Sequence, residues 1–423
     1  MMSVFHGLSF AVIVAATVVA GTACESPDTS RPAEEASTSQ AGSSQPAGGV
    51  GMSPAVEEWV NENELEFWWI DTTAGKNKNW AMAYLAAGTG RIDVLEWLKS
   101  QGVNFNARDK LSQETPMCAA AGGGQIEAME WLKAQGVDVS ARSRDGRMVM
   151  LSAAVGGRIE ALEWLQSHGA EMDFNGGDGW ELMVAAAMYG QIEAMKWLKS
   201  QGAAIDVNAQ DRVNEWPVLA TAMRRAVWAD QVEWMEWLKD QGASLDVTYQ
   251  DGETLMHLAA GEGHVEVMKW LKKQGMDVSI RNEKGSRYYG NGVGQTPMFS
   301  AAEKGHIAAM AWLNEQGAEV DARDQKGLTP MFLTVAYSSL DREEDPTEAL
   351  AWLKDHGADI HAKDHEGKTP LHRAAWTGQF KAVKWLVEHG AEVNATDDEG
   401  RTPLSLVYYE DIKTWLIDRG ARE

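Results

Sequence analysis

The sequence has few cysteines, few basic residues and, beyond its first 23 residues, no long apolar run. Its 423 residues include 38 basic and 62 acidic side chains, which gives a net charge of −24. Nucleic-acid binding depends on Lys and Arg side chains that displace counterions from phosphates, so this balance argues against a nucleic-acid partner. Among protein partners, it favours basic ones.

Only two cysteines occur, Cys24 and Cys118. A disulfide within the chain would need both, and the surroundings of Cys24 indicate another role, described below. Cys118 lies in a predicted helix among alanines, so we expect a buried thiol that packs like a small apolar residue. The sequence therefore does not predict a fold that depends on disulfides.

One phrase recurs along the chain. It reads GQIEAMEWLKAQG at residues 124–136, GRIEALEWLQSHG at 157–169, GQIEAMKWLKSQG at 190–202 and GHVEVMKWLKKQG at 263–275. Apolar residues every three or four positions, followed by a glycine, predict an amphipathic helix with a glycine stop. The tryptophans of the ten copies lie at 97, 131, 164, 197, 237, 270, 312, 352, 385 and 415. Their dominant spacing of 33 residues predicts a solenoid of stacked repeats.

A second phrase precedes the tryptophan helix. It reads TPMCAAA at 115–121, TPMFSAA at 296–302 and TPLHRAA at 369–375. Proline after threonine starts a helix, and the small alanines allow close helix packing. With turn residues between repeats, as at 322–327 and 395–400, the pattern closely resembles the ankyrin repeat. The resemblance covers residues 77–423 and implies an all-α repeat fold, an ankyrin solenoid of about ten helix-turn-helix units joined by hairpin-like turns.

The repeated tryptophan is expected to be structural. In several repeats the residue three positions before it is alanine, which lies one turn back on the same helix face. A small residue beneath a large indole conserves core volume. The alternative is an exposed aromatic stripe on the convex side that binds sugars or other ligands. Burial of the indoles would count against that alternative.

The N-terminus has the features of a targeting segment. Residues 8–23 carry no charge. The length of this stretch is typical of a signal-peptide core and short for a membrane span. The sequence GTAC at 21–24 resembles the lipobox of bacterial lipoproteins, which implies a signal peptide over 1–23 and lipidation of Cys24. Ordinary secretion and a retained membrane anchor are the alternatives, because position 21 is glycine and the first seven residues lack Lys and Arg.

Two further segments precede the repeats. Residues 24–52 are rich in Ser, Pro, Ala and Gly, and they have too little apolar surface to fold, which predicts a flexible tether after Cys24. Residues 53–76 begin with Ser53-Pro54, a helix start, and we expect an N-terminal capping helix there. The ankyrin-repeat domain would then span 77–423.

Three stretches depart from the regular repeat. Two repeats are longer between the proline position and the tryptophan, which predicts insertions between their two helices at 224–228 and 338–347. The turn at 282–294 has gained about nine residues. Tyr and Arg are favoured at interaction hot spots, although a long surface loop costs little and is compatible with a neutral insertion. The candidate contact residues in the first and third stretches are Arg224, Arg225, Trp228, Arg287, Tyr288 and Tyr289.

The family resemblance adds a second set of candidates. Ankyrin repeats usually bind partners through their turn tips and the concave face of the first helices. The matching positions with large or charged side chains include Trp180, Tyr189, Arg373 and Trp376.

No motif in the sequence indicates an enzyme, a cofactor or a metal. The chain has no glycine-rich phosphate loop, nucleophile elbow or metalloprotease helix. Histidines are dense at 356–389, but His356 and His389 are 33 residues apart and so occupy equivalent positions of adjacent repeats, about 10 Å apart. Ligands of one zinc ion lie about 2 Å from it. His372 matches the family's Thr-Pro-Leu-His position, which implies a structural hydrogen-bonding role.

Together these features predict a non-enzymatic scaffold for protein-protein interaction. It would be tethered in the bacterial cell envelope, in contact with the membrane only through its N-terminal lipid, or lie in the periplasm. The alternative function is an envelope protein that binds ligands or glycans through exposed Trp and Tyr. An enzyme would instead require a cleft with converging titratable groups.

Overall fold

The computed structural model describes residues 53–62, 78–108, 114–140, 149–170, 173–174, 177–205, 217–249, 252–284, 292–336 and 345–422. Regular structure in these ranges consists of twenty α-helices and one short 3-10 helix, which confirms the predicted all-α fold. The chain divides into two compact units, Met1–Asp206 and Val207–Glu423, called the N-terminal and C-terminal units below. No helix within the described ranges is long and apolar enough to cross a membrane.

In its described residues, the N-terminal unit has a single helix followed by four helix pairs. The single helix is α1 (Pro54–Glu62). The pairs are α2 (Lys78–Gly88) with α3 (Ile92–Ser100), α4 (Pro116–Gly123) with α5 (Ile126–Ala134), α6 (Val149–Val155) with α7 (Ile159–Ser167), and α8 (Gly177–Met188) with α9 (Ile192–Ser200). The first helices of successive pairs pack side by side, and so do the second helices. This is the stacking that the repeated phrases predict.

The described residues of the C-terminal unit form six further pairs. They are α10 (Val218–Trp228) with α11 (Val232–Asp240), α12 (Leu255–Gly261) with α13 (Val265–Lys273), α14 (Pro297–Lys304) with α15 (Ile307–Glu315), α16 (Pro330–Thr334) with α17 (Thr347–Asp355), α18 (Pro370–Thr377) with α19 (Phe380–Glu388), and the 3-10 helix (Pro403–Leu406) with α20 (Glu410–Asp418). Their first helices form one row and their second helices another. The ten pairs of the two units agree with the predicted number of repeats.

Helix α1 has the apolar side expected of a cap. Val56, Trp59 and Val60 are buried. Arg91, just before α3, donates a hydrogen bond to the carbonyl of Ala55 at 3.1 Å, and its guanidinium lies 5.9 Å from the Trp59 ring centroid. The helix is thus joined to the first pair. The remainder of the predicted cap, 63–76, lies outside the described residues.

The first helices that carry the Thr-Pro-Ala-Ala motif, α4, α14 and α18, begin and end as it predicts. In α4, Thr115 is the extended residue before the helix and Pro116 is the first helical residue. Gly124 ends the helix in the left-handed conformation, with φ of 72°, where its N–H bonds to the carbonyl of Ala121. The free thiol of Cys118 is buried, as predicted, and burial raises its pKa.

The repeated tryptophan is a core residue. The ten repeated tryptophans are called the ladder below. Trp164, Trp197, Trp270 and Trp312 are less than a tenth exposed, and the other six indoles of the ladder are half-buried. The alanines three positions earlier are fully buried, at Ala128, Ala161, Ala194 and Ala309. The predicted structural role is therefore confirmed.

Two repeats contain the threonine-histidine arrangement at the start of the first helix. The Nδ1 atom of His372 accepts the backbone N–H of Thr369 at 3.1 Å, and Nε2 lies 3.1 Å from the carbonyl oxygen of Arg401 in the next repeat. His257 makes the same contacts with Thr254 and Gln295. Burial lowers the pKa of His372, which favours the neutral ring that these bonds require. The structural role implied for His372 is confirmed.

Between these repeats, the histidine position is phenylalanine. Phe299 and Phe332 pack into an apolar cluster that includes Leu333. Within the described part of the chain, the buried hydroxyls of Thr296 and Thr329 consequently have no hydrogen-bond partner. In these two repeats, apolar contacts thus take the place of the threonine-histidine hydrogen bonds.

The predicted insertion at 224–228 is wrong. The N–H of Gln231 bonds to the carbonyl of Ala226, as that of Gln125 bonds to Ala120, so the turn between α10 and α11 has the usual length. The extra residues lie instead at the start of α10, which begins one turn early, at Val218. The usual proline is replaced by Ala222 here, and without a proline the preceding residues are not restricted from helical conformation. Residues 224–228 are the last turn of α10.

The second predicted insertion falls mostly outside the described residues, at 337–344. The described residues on either side of it, Ala336 and Asp345, lie after α16 and before α17. This agrees with the predicted position between the two helices of one repeat.

Candidate protein-interaction surface

Three of the predicted contact residues are exposed aromatic side chains. Tyr189 is 40% exposed, Trp228 is 37% exposed and Trp376 is 49% exposed. Tyr189 follows α8 in the N-terminal unit, whereas the two tryptophans lie at the ends of α10 and α18 in the C-terminal unit. Trp180, another candidate, is half-buried in α8. Trp376 is clearly more exposed than the half-buried indoles of the ladder, and Trp228 is slightly more exposed.

The two exposed tryptophans occupy the same position of their repeats. Each lies two residues after an alanine whose carbonyl accepts the N–H of the glutamine that precedes the second helix; the alanines are Ala226 and Ala374. The shared position places both indoles at the C-terminal end of a first helix. They therefore belong to one row of the C-terminal unit.

Each exposed indole is paired with an arginine three residues earlier. The guanidinium carbon of Arg225 lies 5.1 Å from the Trp228 ring centroid, and that of Arg373 lies 5.2 Å from the Trp376 ring centroid. Residues three apart on a helix are neighbours, and a cation over an aromatic face is attracted to it. We call these contacts the Arg–Trp pairs.

A second arginine reaches the first pair. The guanidinium carbon of Arg224 lies 4.3 Å from the Trp228 centroid and 5.4 Å from the centroid of Tyr249. Tyr249 is itself buried, and its hydroxyl donates to the carbonyl of Ala220 in α10 at 3.2 Å. These contacts restrict the rotamers of the arginine and the indole, so the first pair is held in a defined geometry.

Two exposed tyrosines that follow the 3-10 helix were not among the predicted residues. Tyr408 is 78% exposed and Tyr409 is 44% exposed. The ring of Tyr409 lies directly over Gly378, where an added Cβ would come within 2.2 Å of its Cε2. Because Gly378 ends α18, this ring is adjacent to the helix end that carries Trp376. The doubled tyrosine was the available sequence signal.

The turn tips of the C-terminal unit are joined by backbone hydrogen bonds. Gln325 N–H bonds to Val293 at 2.8 Å, His365 N–H bonds to Lys326 at 2.8 Å, and Asp398 N–H bonds to Glu366 at 3.0 Å. Within a tip, the carboxylate of Asp324 accepts the N–H groups of Lys326 and Leu328. The row of tips is therefore fixed in place before any partner arrives.

The long turn at 282–294 is described only at its base. The side chain of Asn282 is buried, accepts the N–H of Gln295 at 2.7 Å and donates to the carbonyl of Gly292 at 3.2 Å. Arg287, Tyr288 and Tyr289 lie outside the described residues, as does Cys24. Their roles stay predictions.

Three histidines have structural contacts with the ladder. His168, His356 and His389 each stack on the tryptophan four residues earlier, with ring centroids 3.9 to 4.0 Å apart, and each places Nδ1 2.7 Å from that tryptophan's carbonyl oxygen. They end the second helices. Within the described ranges, no three His, Cys, Asp or Glu side chains are grouped so as to hold a metal ion.

Comparison with known families agrees with this architecture. The family model described as ankyrin repeats (3 copies) matches residues 82–176, 117–211, 149–249, 223–324, 309–397 and 339–422. The chain belongs to the ankyrin-repeat family. Ankyrin repeats are generally protein-protein interaction modules, and ankyrin-repeat proteins are typically non-enzymatic. This gives the general role of the repeats without naming a partner.

Among solved structures, one match is an ankyrin repeat domain. The human ASB11 ankyrin repeat domain is 21% identical in sequence, with a TM-score of 0.44, and the match covers 57% of this chain and 98% of that one. A comparison with curated proteins gave no match.

Proposed function

We propose that this ankyrin-repeat protein is a non-enzymatic scaffold that binds a protein partner through the concave first-helix row and turn tips of its C-terminal unit. The observation that carries the proposal is the contrast between two sets of tryptophans. The ladder indoles are buried or half-buried, whereas Trp228 and Trp376 are exposed and held by arginines at equivalent positions.

The chemistry of the pairs supports a protein partner. Tryptophan, tyrosine and arginine dominate binding hot spots, because they offer a large contact area together with hydrogen-bond donors. Preformed turn tips reduce the entropy lost when a complex forms. The net charge of −24 favours a partner whose surface is basic around the apolar anchors.

Burial of the ladder counts against the alternative of a glycan-binding stripe. A sugar-binding aromatic ring must present a face to solvent, and ladder residues such as Trp270 and Trp312 are less than a tenth exposed. The indole of Trp270 also donates a hydrogen bond to the Glu236 carboxylate at 3.1 Å, so its polar edge is occupied.

Removing both exposed indoles is expected to reduce partner binding. We expect the Trp228→Ala, Trp376→Ala double variant to recover at least about tenfold less of the partner than wild type, since hot-spot truncation typically costs about 2 kcal/mol or more. Recovery would be measured by crosslinking in intact cells and quantitative mass spectrometry. The matched control is Glu193→Ala, Lys196→Ala, which removes an exposed ion pair from α9. Equal recovery from all three proteins would contradict the proposal.

We further propose that Cys24 carries the lipid that tethers the protein in the bacterial cell envelope. Support comes from the order of segments: an uncharged core at 8–23, a cysteine after small residues, and a polar tether to position 52. One acyl chain binds membranes only weakly, so a stable anchor needs more than one.

Replacing the cysteine tests the tether directly. Cys24→Ser is expected to abolish incorporation of a clickable fatty acid and to shift the protein out of the membrane fraction. Cys118→Ser is the matched control, because Cys118 is buried in α4 and should leave both readouts unchanged. Absence of label on wild type would overturn the lipid anchor, and an unchanged partition of Cys24→Ser would overturn the tether.

A further inference from the structure

A side-chain amide joins neighbouring repeats at the turn after the second helix. Four residues beyond the helix-ending glycine, Asn106 donates from Nδ2 to the carbonyl of Gly136 at 3.2 Å and accepts the N–H of Asp138. Asn394 makes the same pair of bonds with Gly420, at 3.0 Å, and Arg422. Each asparagine therefore donates one bond to the next repeat and accepts another from it.

The same position in the seventh repeat is an aspartate. Asp321 follows Gly317 by four residues, and its Oδ2 accepts the N–H of Asp359 at 3.4 Å, which corresponds to the N–H that each asparagine accepts. Its Oδ1 is buried and has no hydrogen-bond partner among the residues that the structure describes. By equivalence with the asparagines, this oxygen occupies the place of the donating amide and faces the carbonyl of Gly357.

We infer that Asp321 is a proton-binding site, and that its protonated carboxyl completes the pair of hydrogen bonds between the seventh and eighth repeats. A carboxylate can only accept, so two oxygens with lone pairs meet at this contact. When the carboxyl takes a proton from solvent, its O–H becomes a donor and can bond to the Gly357 carbonyl as the asparagine amide does elsewhere. A third residue at this position, Ser140, also supplies a donor, to Gly169 at 3.0 Å.

Some of the groups around Asp321 raise the pKa of its carboxyl and others lower it. Burial raises the pKa of its carboxyl above the ordinary value of 3.8, and the nearby carboxylates of Asp359 and Glu319 act in the same direction. The backbone N–H of Asp359 and the Arg323 guanidinium act to lower the pKa. Part of the Arg323 charge is engaged elsewhere, since its Nη1 donates to the carbonyls of Gly327 and Lys363.

The sign of the pH dependence follows from the raised pKa. An acid that binds its proton more tightly in the folded state stabilises that state at low pH. This stabilisation is fully present below the ordinary pKa of 3.8 and is lost as the pH rises through the folded-state pKa. The contact between these two repeats is thus more stable in acid than at neutral pH. The inference concerns the scaffold itself and does not depend on the proposed partner.

Replacement by asparagine, the residue of the first and ninth repeats at this position, provides the test. Thermal unfolding of the full chain would be followed from pH 4 to pH 8 for wild type and Asp321→Asn. We expect the variant's Tm to exceed that of wild type by about 2 °C or more at pH 8, and this advantage to shrink steadily toward pH 4. A carboxyl-carbon NMR titration, assigned by the loss of one signal in Asp321→Asn, would locate the pKa directly.

The converse variant provides the matched control. Asn394→Asp places a carboxyl at the equivalent position of the same unit, and we expect it to lower the Tm at pH 8 and to restore it toward pH 4. A wild-type to Asp321→Asn difference that is constant across the pH range would overturn the inference. So would a titration of Asp321 at or below the ordinary value.

Discussion

Replacing Trp270 with alanine is expected to destabilise the C-terminal unit by about 3–5 kcal/mol, the usual cost of truncating a buried large aromatic residue. Trp270 is 6% exposed, between Val267 and Leu271, which are fully buried. Truncation would leave a cavity between neighbouring second helices and remove the partner of the Glu236 carboxylate. Trp376→Ala removes the same side chain from an exposed position, so we expect a change within about 0.5 kcal/mol.

The two variants form a matched pair, because the chemistry of the change is identical and only burial differs. Urea unfolding followed by circular dichroism would give both free energies, and Trp270→Phe would separate the lost hydrogen bond from the lost volume. A cost for Trp376→Ala as large as that for Trp270→Ala would mean that the exposed indoles are structural too. The proposed interaction surface would then lose its main support.

The ladder was predictable from the sequence because its signal is repeated ten times. Spacing near 33 residues, glycine stops and small residues such as Ala128 beneath the indoles agree in every copy that carries them. Local helix signals and long-range packing thus point to the same fold, which is the condition for reliable prediction from sequence. Only the repeats with irregular spacing were open to error.

The register of α10 was the error. Measuring from Pro217 to Trp237 assumed that this proline held the usual helix-start position, and the excess length was therefore assigned to a loop. In the structure the equivalent position is Ala222, and Pro217 precedes an extra turn of helix. An extra turn at the start of a helix and an insertion in a loop can add the same number of residues between the proline and the tryptophan. Residue spacing alone therefore cannot distinguish them.

The candidate site was predictable in position but not in contacts. Repeat position predicted Tyr189 and Trp376 as surface residues, whereas Trp228 was a candidate only through the insertion wrongly predicted at 224–228; all three are exposed. Tyr409 was missed because its contact with Gly378 joins adjacent repeats. That contact depends on the 3-10 helix that replaces the first helix of the tenth repeat. Asp321 was missed because its significance appears only when hydrogen bonds at equivalent positions are compared.

Substitution of Gly156 by alanine is expected to cost the N-terminal unit about 1–3 kcal/mol or more, as overpacking of a close contact does. A Cβ at Gly156 would lie 2.2 Å from the carbonyl oxygen of Gly122 in the preceding repeat. Gly123 is in the same situation, with its Cβ 2.2 Å from the carbonyl oxygen of Gly88. Since the obstacle in each case is backbone, the first helices must move apart.

Gly177→Ala is the matched control for this substitution. Apart from its chain neighbours and its own helix backbone, no atom of the described residues lies within 4 Å of a Cβ built there. The alanine should therefore be neutral or slightly stabilising through the reduced entropy of the unfolded chain. Hydrogen exchange measured by mass spectrometry would report on α4 and α6 separately from the C-terminal unit. Faster exchange in those two helices for Gly156→Ala, and unchanged exchange for Gly177→Ala, is the expected result. Equal protection in both variants would mean that the rows of first helices tolerate a wider spacing, and that glycine is not required where these two helices meet.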